Sequence, residues 1–450
     1  MADPKPSPAT GAATGTPYKA PTPNPALRMM GLPNLPRKLP SRNWLIFWTL
    51  SLSFSAAIIY DKREKKRATA RWARAVSHIA KEPMATSSEM PRKLTIFLES
   101  PPTDGLRVAQ DHFTEYVKPV LAASGLDWEF VQGRSEGDVR AAVAERIRRS
   151  RDPEAAATAG VQTQDEVVNQ VRRRNGIPEY TGMRGDIVIG RHTWKEYVRG
   201  LHEGWLGPLT APVPAIPDPL PVHSTTTEAT KEEVGGEEKE KHEETRPEEA
   251  KKPERPPQPP PYNTPANYPS SPTPLLIPAE LSPSAPVQFP HILGFSNTFT
   301  RLGRFLNRRY LADDIGREVA AVCLATAREF REKTTPGTAD SEPEQVTALA
   351  WEEKDWPKSV WKETEEVAAN EKENPSTPPA EKIWTNSIIL DPRISMRMRR
   401  FELRPEDEAR ARAIVVPEEE VEGFIKGSLR SLWRWAIAPN SRPQPVVTEE

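Results

Sequence analysis

The residues that could act as nucleophiles or bind a metal ion are few, and their spacing fits no standard catalytic motif. The chain of 450 residues has a single cysteine, Cys323, which excludes an intramolecular disulfide and lies in the apolar run REVAAVCLATA, where a buried thiol is expected. Seven histidines are scattered without the spacing of metal ligands, and the sequence has no HExxH, CxxC, GxSxG or Walker-type phosphate loop. We therefore predict no catalytic, cofactor-binding or metal-binding residue, and no cofactor.

Composition divides the chain into ordered and disordered stretches. Fifty prolines cluster along it, and a segment poor in apolar residues cannot offset the entropy lost on ordering. We predict a disordered N-terminal tail at residues 1–40, a disordered linker rich in Pro, Glu and Lys at 211–288, and a disordered tail at 438–450. The 62 Lys and Arg residues balance the 63 Asp and Glu residues, so no overall charge indicates a nucleic-acid partner.

Residues 43–60, NWLIFWTLSLSFSAAIIY, form an uncharged stretch of 18 residues. That length is the lower limit for a helix that crosses a hydrocarbon core about 30 Å thick at about 1.5 Å per residue. Trp44, Trp48 and Tyr60 lie near its ends, where aromatic rings favour the headgroup region. Because Arg42 and the run DKREKKR flank it, we predict one transmembrane helix rather than a buried core helix.

A basic amphipathic helix is predicted directly after the span, at residues 61–81. Trp72, Val76 and Ile79 recur at helical spacing among eight Lys and Arg residues. Three interpretations stay open: a helix lying on an anionic membrane face, an internal targeting signal, or a solvated helix leaving the membrane. Residues 28–42 hold four Lys and Arg, so a positive-inside count would place the C-terminal side of the span in the matrix.

Strand and helix patterns alternate between residues 92 and 207, which predicts a parallel sheet covered by helices on both faces, a three-layer α/β domain. The run DIVIG is short and continuously apolar, as expected of a strand buried on both faces. The other predicted elements are a strand at KLTIFLE, a helix at 108–124 ended by Gly125, a strand at 126–131 and a helix at 137–150. Possible capping boxes mark two more helix starts, at Thr163 with Glu166 and at Thr193 with Glu196.

Residues 289–437 are predicted to form a mixed α+β region. Ile315, Val319 and Val322 lie on one face of a predicted helix. The runs VTALAWEEKDWP and IWTNSIILDP have the apolar content of strands, and a last helical segment is predicted at about 417–437. The fold class expected for the whole chain is therefore α/β, with one N-terminal transmembrane helix and long disordered segments.

Six segments in order resemble the family of the fifty-four-kilodalton subunit of the mitochondrial import inner-membrane translocase. They span residues 24–207 and about 289–435, and are NPALRMMGLPNLPRKLPSRNWLIFW, YDKREKKR, PRKLTIFLESPP, GDIVIGRHTWKEYVRGLHEGWLGPL, FLNRRYLADDIGREVAA and LDPRISMRMRRFEL. The resemblance implies a single-pass protein of the mitochondrial inner membrane with a large C-terminal domain in the intermembrane space. It also implies a role in the complex that inserts multi-pass carriers by using the membrane potential. The implied partners are other subunits of that complex, small intermembrane-space chaperones, carriers in transit and inner-membrane lipids.

The α/β domain has a weaker resemblance to diacylglycerol-kinase-type lipid kinases, in which a Gly-rich turn, GGDGT, follows a strand and approaches the nucleotide phosphates. Here DIVIG matches the strand, and the turn is replaced by Gly190, Arg191, His192, Thr193 and Trp194. The run LGFSNTFTR is similar to that family's LGTGNDFAR, with Thr298 in place of the acidic residue and with matches at Leu293, Gly294, Asn297, Phe299 and Arg301. The resemblance implies a kinase-type fold without kinase chemistry, in which the linker is an insertion between two halves.

The function expected from these observations is that of a non-catalytic translocase subunit, and not of an enzyme. Two alternatives from other classes stay open: a lipid kinase-like enzyme that acts on membrane lipids, and a membrane-anchored scaffold in another organelle.

Overall fold

The computed structural model describes residues 41–84, 89–152, 164–177, 180, 182–211, 258–334, 341–361, 381–422, 427, 428 and 430–433. The chain divides into two compact units, Met1–Ile58 and Ile59–Glu450. The predicted tails, residues 212–257 of the predicted linker and the predicted capping residue Thr163 lie outside the described residues.

Helix α1, Arg42–Val76, begins where the span is predicted to begin and continues without a break beyond its end. In the part of the chain that the structure describes, it is the one helix long and apolar enough to cross a membrane, and its apolar window is wholly exposed. Beyond the span, four of its residues are buried: Asp61, Ala68, Trp72 and Val76. The apolar side chains of the predicted basic helix 61–81 therefore pack into the second unit.

In the described ranges, eight short strands follow α1. They are β1 (Lys93–Glu99), β2 (Asp127–Gly133), β3 (Gly185–Ile189), β4 (Ser284–Val287), β5 (Ala327–Glu329), β6 (Glu332–Thr334), β7 (Ser341–Pro343) and β8 (Arg399–Phe401). Six of them form one sheet in the order β2-β1-β3-β4-β8-β5, and β6 pairs with β7. Within the sheet the neighbours are parallel except for the edge pair β8 and β5. The predicted parallel sheet is confirmed, and β4 and β8 extend it into the C-terminal part of the chain.

Helices cover both faces of this sheet. In chain order they are α2 (Leu106–His112), a π-helical turn (Phe113–Val117), α3 (Lys118–Ser124), α4 (Asp138–Arg151), α5 (Gln164–Arg174), α6 (Arg191–Leu206), α7 (Thr298–Phe305), α8 (Arg308–Cys323), α9 (Glu344–Thr347), a 3-10 turn (Ala350–Asp355), α10 (Lys358–Trp361), α11 (Pro392–Ser395), α12 (Pro405–Ala413) and α13 (Glu418–Val421). Leu94, Ile96 and Leu98 of β1 share a core with α1, α2, α3 and α8, whereas Phe97 shares one with α4 and α6. The alternation places one core on each face, which makes three layers.

The predicted linker 211–288 is too long at its C-terminal end. The strand β4, with the sequence SAPV, lies inside it, and all four of its residues are buried between β3 and β8. A proline and a single β-branched residue give this run little strand propensity. Its place is set by pairing with β3, from Asp186 opposite Ser284 to Ile189 opposite Val287.

Two strand-like runs of the C-terminal region are not strands. In VTALAWEEKDWP the chain forms α9, a left-handed residue at Leu349 (φ +58°) and the 3-10 turn. In IWTNSIILDP, backbone N–H groups bond to side chains instead of to a neighbouring strand. That of Trp384 donates to Glu136 at 2.8 Å, and that of Asp391 donates to His202 at 3.0 Å. The prediction of strands is wrong because polar side chains from distant elements satisfy this backbone.

The junction of α1 with α8 ties the helix that leaves the predicted span to the core of the second unit. The Asp61 carboxylate accepts the backbone N–H groups of Arg308 and Arg309 at the start of α8, both at 3.2 Å. Such an anion satisfies amides that have no partner within the helix and complements the helix dipole. Farther along α1, the indole N–H of Trp72 donates to Asp313 at 2.6 Å.

The packing of α1 on α8 predicts the effect of one added methyl group. A Cβ at Gly316 would lie 2.3 Å from Cδ1 of Trp72, so Gly316→Ala must displace the buried indole. We expect the free energy of unfolding to fall by about 1–3 kcal/mol, as in other overpacked cores. Urea unfolding of the full-length chain in detergent measures it.

The matched control is Gly303→Ala in α7, where no atom lies within 4 Å of the added Cβ. This change should raise the free energy of unfolding by up to about 1 kcal/mol, because alanine is the better helix former. Equal effects of the two alanines would contradict the close approach of α1 and α8.

Candidate functional site

The carboxyl ends of β1, β3 and β4 meet at one edge of the sheet, which is where parallel α/β folds bind ligands. The strands β1 and β3 are neighbours, yet the helices that follow them, α2 and α6, belong to cores on opposite faces. Such a switch in topology is the usual ligand position. The residues there are Glu99, Gly190 with the first helical residues 191–194, Phe289 and Glu352, which we call the switch site.

The turn after β3 requires its glycine. Gly190 has φ +89°, and a Cβ there would lie 2.7 Å from the His192 ring. Helix α6 begins directly after it, at Arg191. The predicted capping box of Thr193 with Glu196 is therefore wrong, because both residues lie inside the helix.

The Glu352 carboxylate occupies backbone amides of the kind that bind a phosphate. It accepts the N–H of Arg191, the first residue of α6, at 2.9 Å, and that of Phe289, just beyond β4, at 2.7 Å. Glu352 is 2% exposed, and burial raises its pKa to about 7. A helix N-terminus favours an anion, and here the chain itself supplies one.

The segment that carries this carboxyl group is fastened to the first turn of α6. The Arg191 Nε donates to Glu353 at 2.7 Å, and the Lys195 ammonium lies 2.8 Å from the same carboxylate. The indole N–H of Trp194 donates to the Gln345 carbonyl at 2.8 Å. These large side chains at the start of α6 thus hold a covering segment in place.

A further pair of buried carboxyl groups, Glu99 and Glu196, lies beside this turn. Glu196 accepts the N–H groups of Gly137 at 2.6 Å and Arg140 at 3.1 Å at the start of α4, and the indole N–H of Trp384 at 2.9 Å. Burial, together with the neighbouring Glu196, raises the pKa of Glu99 well above its ordinary value. This shift favours the neutral form of Glu99, and a neutral carboxyl group is a poor ligand for the Mg²⁺ that accompanies a nucleotide.

The run LGFSNTFTR forms the turn that precedes α7 and the start of that helix. The Asn297 amide donates to the Leu293 carbonyl at 2.9 Å, and the Thr298 hydroxyl donates to the Phe295 carbonyl at 2.6 Å. Phe299 is 86% exposed. The residues that match the kinase motif here serve the turn and the surface.

The single cysteine is buried, as predicted. Cys323 is the last residue of α8, and burial raises its pKa to about 11. In the described ranges of the chain, no three His, Cys, Asp or Glu residues are grouped so that they could hold a metal ion.

Sequence patterns give no sign of the role of Glu352. It belongs to a run with the apolar content of a strand, and its partners are 161 and 63 residues away in the chain. A cap within one helical turn leaves a local pattern of polar residues. A cap from a distant segment leaves none.

Comparisons with known proteins agree on one family. The model of the family described as "Inner membrane protein import complex subunit Tim54" matches residues 24–401. A Neurospora crassa protein named mitochondrial import inner membrane translocase subunit tim54 is 57% identical, over 92% of this chain and 88% of its own. The protein of that name from Aspergillus oryzae is 45% identical, over 90% and 93% of the two chains. The one from Saccharomyces cerevisiae is 27% identical, over 86% and 95%.

Glu352→Gln removes the titration of the buried carboxyl group and nearly keeps its shape. A carboxyl group whose pKa rises from 4.5 to about 7 on folding stabilises the fold below pH 4.5 and loses that stabilisation as the pH rises to 7. The free energy of unfolding of the variant, relative to wild type, should therefore rise by at most about 1.4 kcal/mol per pH unit across this window. Urea unfolding of both full-length chains at a series of pH values measures it.

The adjacent substitution Glu353→Gln is the control. Although burial favours the neutral form of Glu353, hydrogen bonds from Lys195 and Arg191 lower its pKa, so its titration lies below this window. Its effect on stability should be constant from pH 5 upward. A constant effect of Glu352→Gln as well would contradict the burial of an ionisable group at the switch site.

Proposed function

The chain belongs to the family of the inner membrane protein import complex subunit Tim54, and from this premise we propose that it is a non-catalytic subunit that mediates the import and insertion of multi-pass carriers, dependent on the membrane potential. Relatives carry the name of the mitochondrial inner membrane translocase. The helix α1 is able to anchor the chain in that membrane. The partners of this function are other subunits of the carrier translocase complex, small intermembrane-space chaperones, multi-pass carriers in transit and inner-membrane lipids.

The observation that carries the non-catalytic part of the proposal is the position of Glu352. Phosphoryl transfer needs backbone amides, basic side chains and a metal ion arranged around the phosphates. The amides of Arg191 and Phe289 already bind the Glu352 carboxylate, and the Arg191 side chain binds Glu353. These contacts disfavour the alternative of a lipid kinase-like enzyme.

We further infer that the domain is a pseudo-enzyme related to the lipid kinases. The parallel order β2-β1-β3-β4 and the strand–turn–helix unit of β3 and α6 support this relation. The chain between α6 and β4 includes most of the predicted linker, as expected for an insertion between two halves of one sheet.

We place the C-terminal domain in the intermembrane space. The opposite orientation follows from a count of basic residues, but that rule is weak for large translocated domains. Five of the eight cations at residues 61–81 also form ion pairs with acidic side chains: Arg63, Lys65, Arg67, Arg71 and Arg74. Four of these pairs join the segment to acidic residues elsewhere in the domain.

Carrier insertion tests the proposed function directly. In mitochondria depleted of this chain, we expect a multi-pass carrier to lose its potential-dependent insertion, and the full-length chain to restore it. The measurement is the fraction of radiolabelled carrier that resists alkaline extraction. A matrix protein with a cleavable presequence, imported into the same mitochondria, is the control and should be unaffected.

Carrier insertion that is unchanged by depletion would contradict the proposal. Micromolar binding of magnesium-ATP to the full-length chain, lost in Arg191→Ala, would instead favour the lipid kinase-like enzyme. Fractionation of the chain to another organelle would favour the scaffold.

Protease protection tests the orientation. With the domain in the intermembrane space, external protease should degrade a C-terminal tag once the outer membrane is ruptured. A tag that survives until the inner membrane is dissolved would place the domain in the matrix, as the charge count predicts. Resident proteins of the two compartments report the integrity of each membrane.

A further inference from the structure

Helix α7 and the turn before it expose an apolar face that the domain leaves uncovered. Phe295 is 95% exposed, Phe299 86% and Leu302 42%. Phe299 and Leu302, three residues apart in α7, lie on the same side of the helix, and Phe295 lies in the turn just before it. None of the eight residues of α7 is buried. Exposed apolar side chains gathered in one short segment indicate a contact with another surface.

Basic side chains border this face. Residues 295–310 contain four arginines and no acidic residue. Arg304 is held by Asp355 at 2.8 Å. Arg301 is exposed, and within the described ranges it has no ion-pair partner. Aromatic and leucine side chains on one face with arginine beside them are typical of helices that lie in a membrane interface.

Asp61 holds the start of α8 next to the last residue of the predicted span 43–60. It directly follows Tyr60 and accepts the N–H groups of Arg308 and Arg309. The Arg309 guanidinium lies 5.5 Å from the centre of the Tyr60 ring. Helix α7 ends three residues before α8 begins, which even an extended chain spans in about 10 Å. The C-terminal end of α7 is therefore joined by a short connection to the helix start that Asp61 holds.

We propose that α7 lies in the headgroup region of the membrane that α1 crosses, with Phe295, Phe299 and Leu302 at the acyl boundary and Arg301 at the lipid phosphates. Aromatic rings favour this depth, and anionic lipids attract arginine. The inference depends on α1 being a membrane span. It holds for either orientation of the domain and does not depend on the carrier substrate.

The predicted basic helix 61–81 is less suited to contact with lipid. Its apolar residues Ala68, Trp72 and Val76 are buried in the core that α1 shares with α8. No apolar side of it is left to enter a bilayer. The lipid contact considered for those residues belongs instead to α7.

The test uses the full-length chain in vesicles of phosphatidylcholine and cardiolipin. An environment-sensitive fluorophore is attached to Phe299→Cys, while Cys323 stays unlabelled because it is buried and its pKa is raised to about 11. Lipids brominated on the acyl chain should quench this label by contact. The same label on Val415→Cys is the matched control, because Val415 is 85% exposed. Its carbonyl accepts a hydrogen bond from Arg74, which lies fourteen residues, or about 21 Å, beyond the predicted span along α1. The control label should keep its full emission.

A double variant tests the apolar anchor itself. Phe295→Ser with Leu302→Ser changes exposed side chains, so folding should be unaffected, while quenching at position 299 should fall to the level at position 415. Equal quenching of the two labels in the parent chain, or quenching that is insensitive to the serines, would overturn the proposal. A label at 299 that is unquenched in vesicles and shielded in native membranes would overturn it in favour of a protein partner.

Discussion

The amide groups at the starts of three helices are satisfied by carboxylates that come from distant parts of the chain. Glu352 serves α6, Glu196 serves α4 and Asp61 serves α8. The first N–H groups of a helix have no intrahelical partner, and each one left buried and unpaired would cost about 1–3 kcal/mol. Each of these long-range contacts therefore fixes the position of a helix relative to a segment that is distant in the sequence. The Glu352 contact holds the covering segment on α6, and the Glu196 contact joins α4 to α6 on the same face of the sheet. The Asp61 contact joins α8 to α1, the helix that leaves the predicted span.

One of these contacts leaves the carboxyl edge of the parallel sheet with its amides already bound. The backbone N–H groups of Arg191 and Phe289 donate to Glu352 of the same chain. The large side chains at the start of α6 bind the segment that covers it. This internal use of the amides fits the proposal that the chain is a non-catalytic translocase subunit.

The elements that local pattern predicts correctly are those whose signal lies within a few residues. The strands β1 and β3 are apolar runs, Gly125 ends α3 in the left-handed conformation (φ +70°), and Cys323 lies on the apolar side of α8. The strand β4 and the contacts of Glu352 escape prediction because both are set by tertiary partners. A strand with the sequence SAPV is stable only between β3 and β8, and the run around Glu352 resembles a strand until α6 supplies the amides that it binds.

Glu352 acts as an internal ligand of the switch site, because its carboxyl group binds backbone amides of the same chain. Glu352 belongs to the same chain as the amides that it binds, 161 and 63 residues away, so it cannot diffuse away from them. A phosphate that approached these two amides would have to displace the Glu352 carboxyl group. That competition would persist even if the turn at Gly190 were wide enough to admit a phosphate.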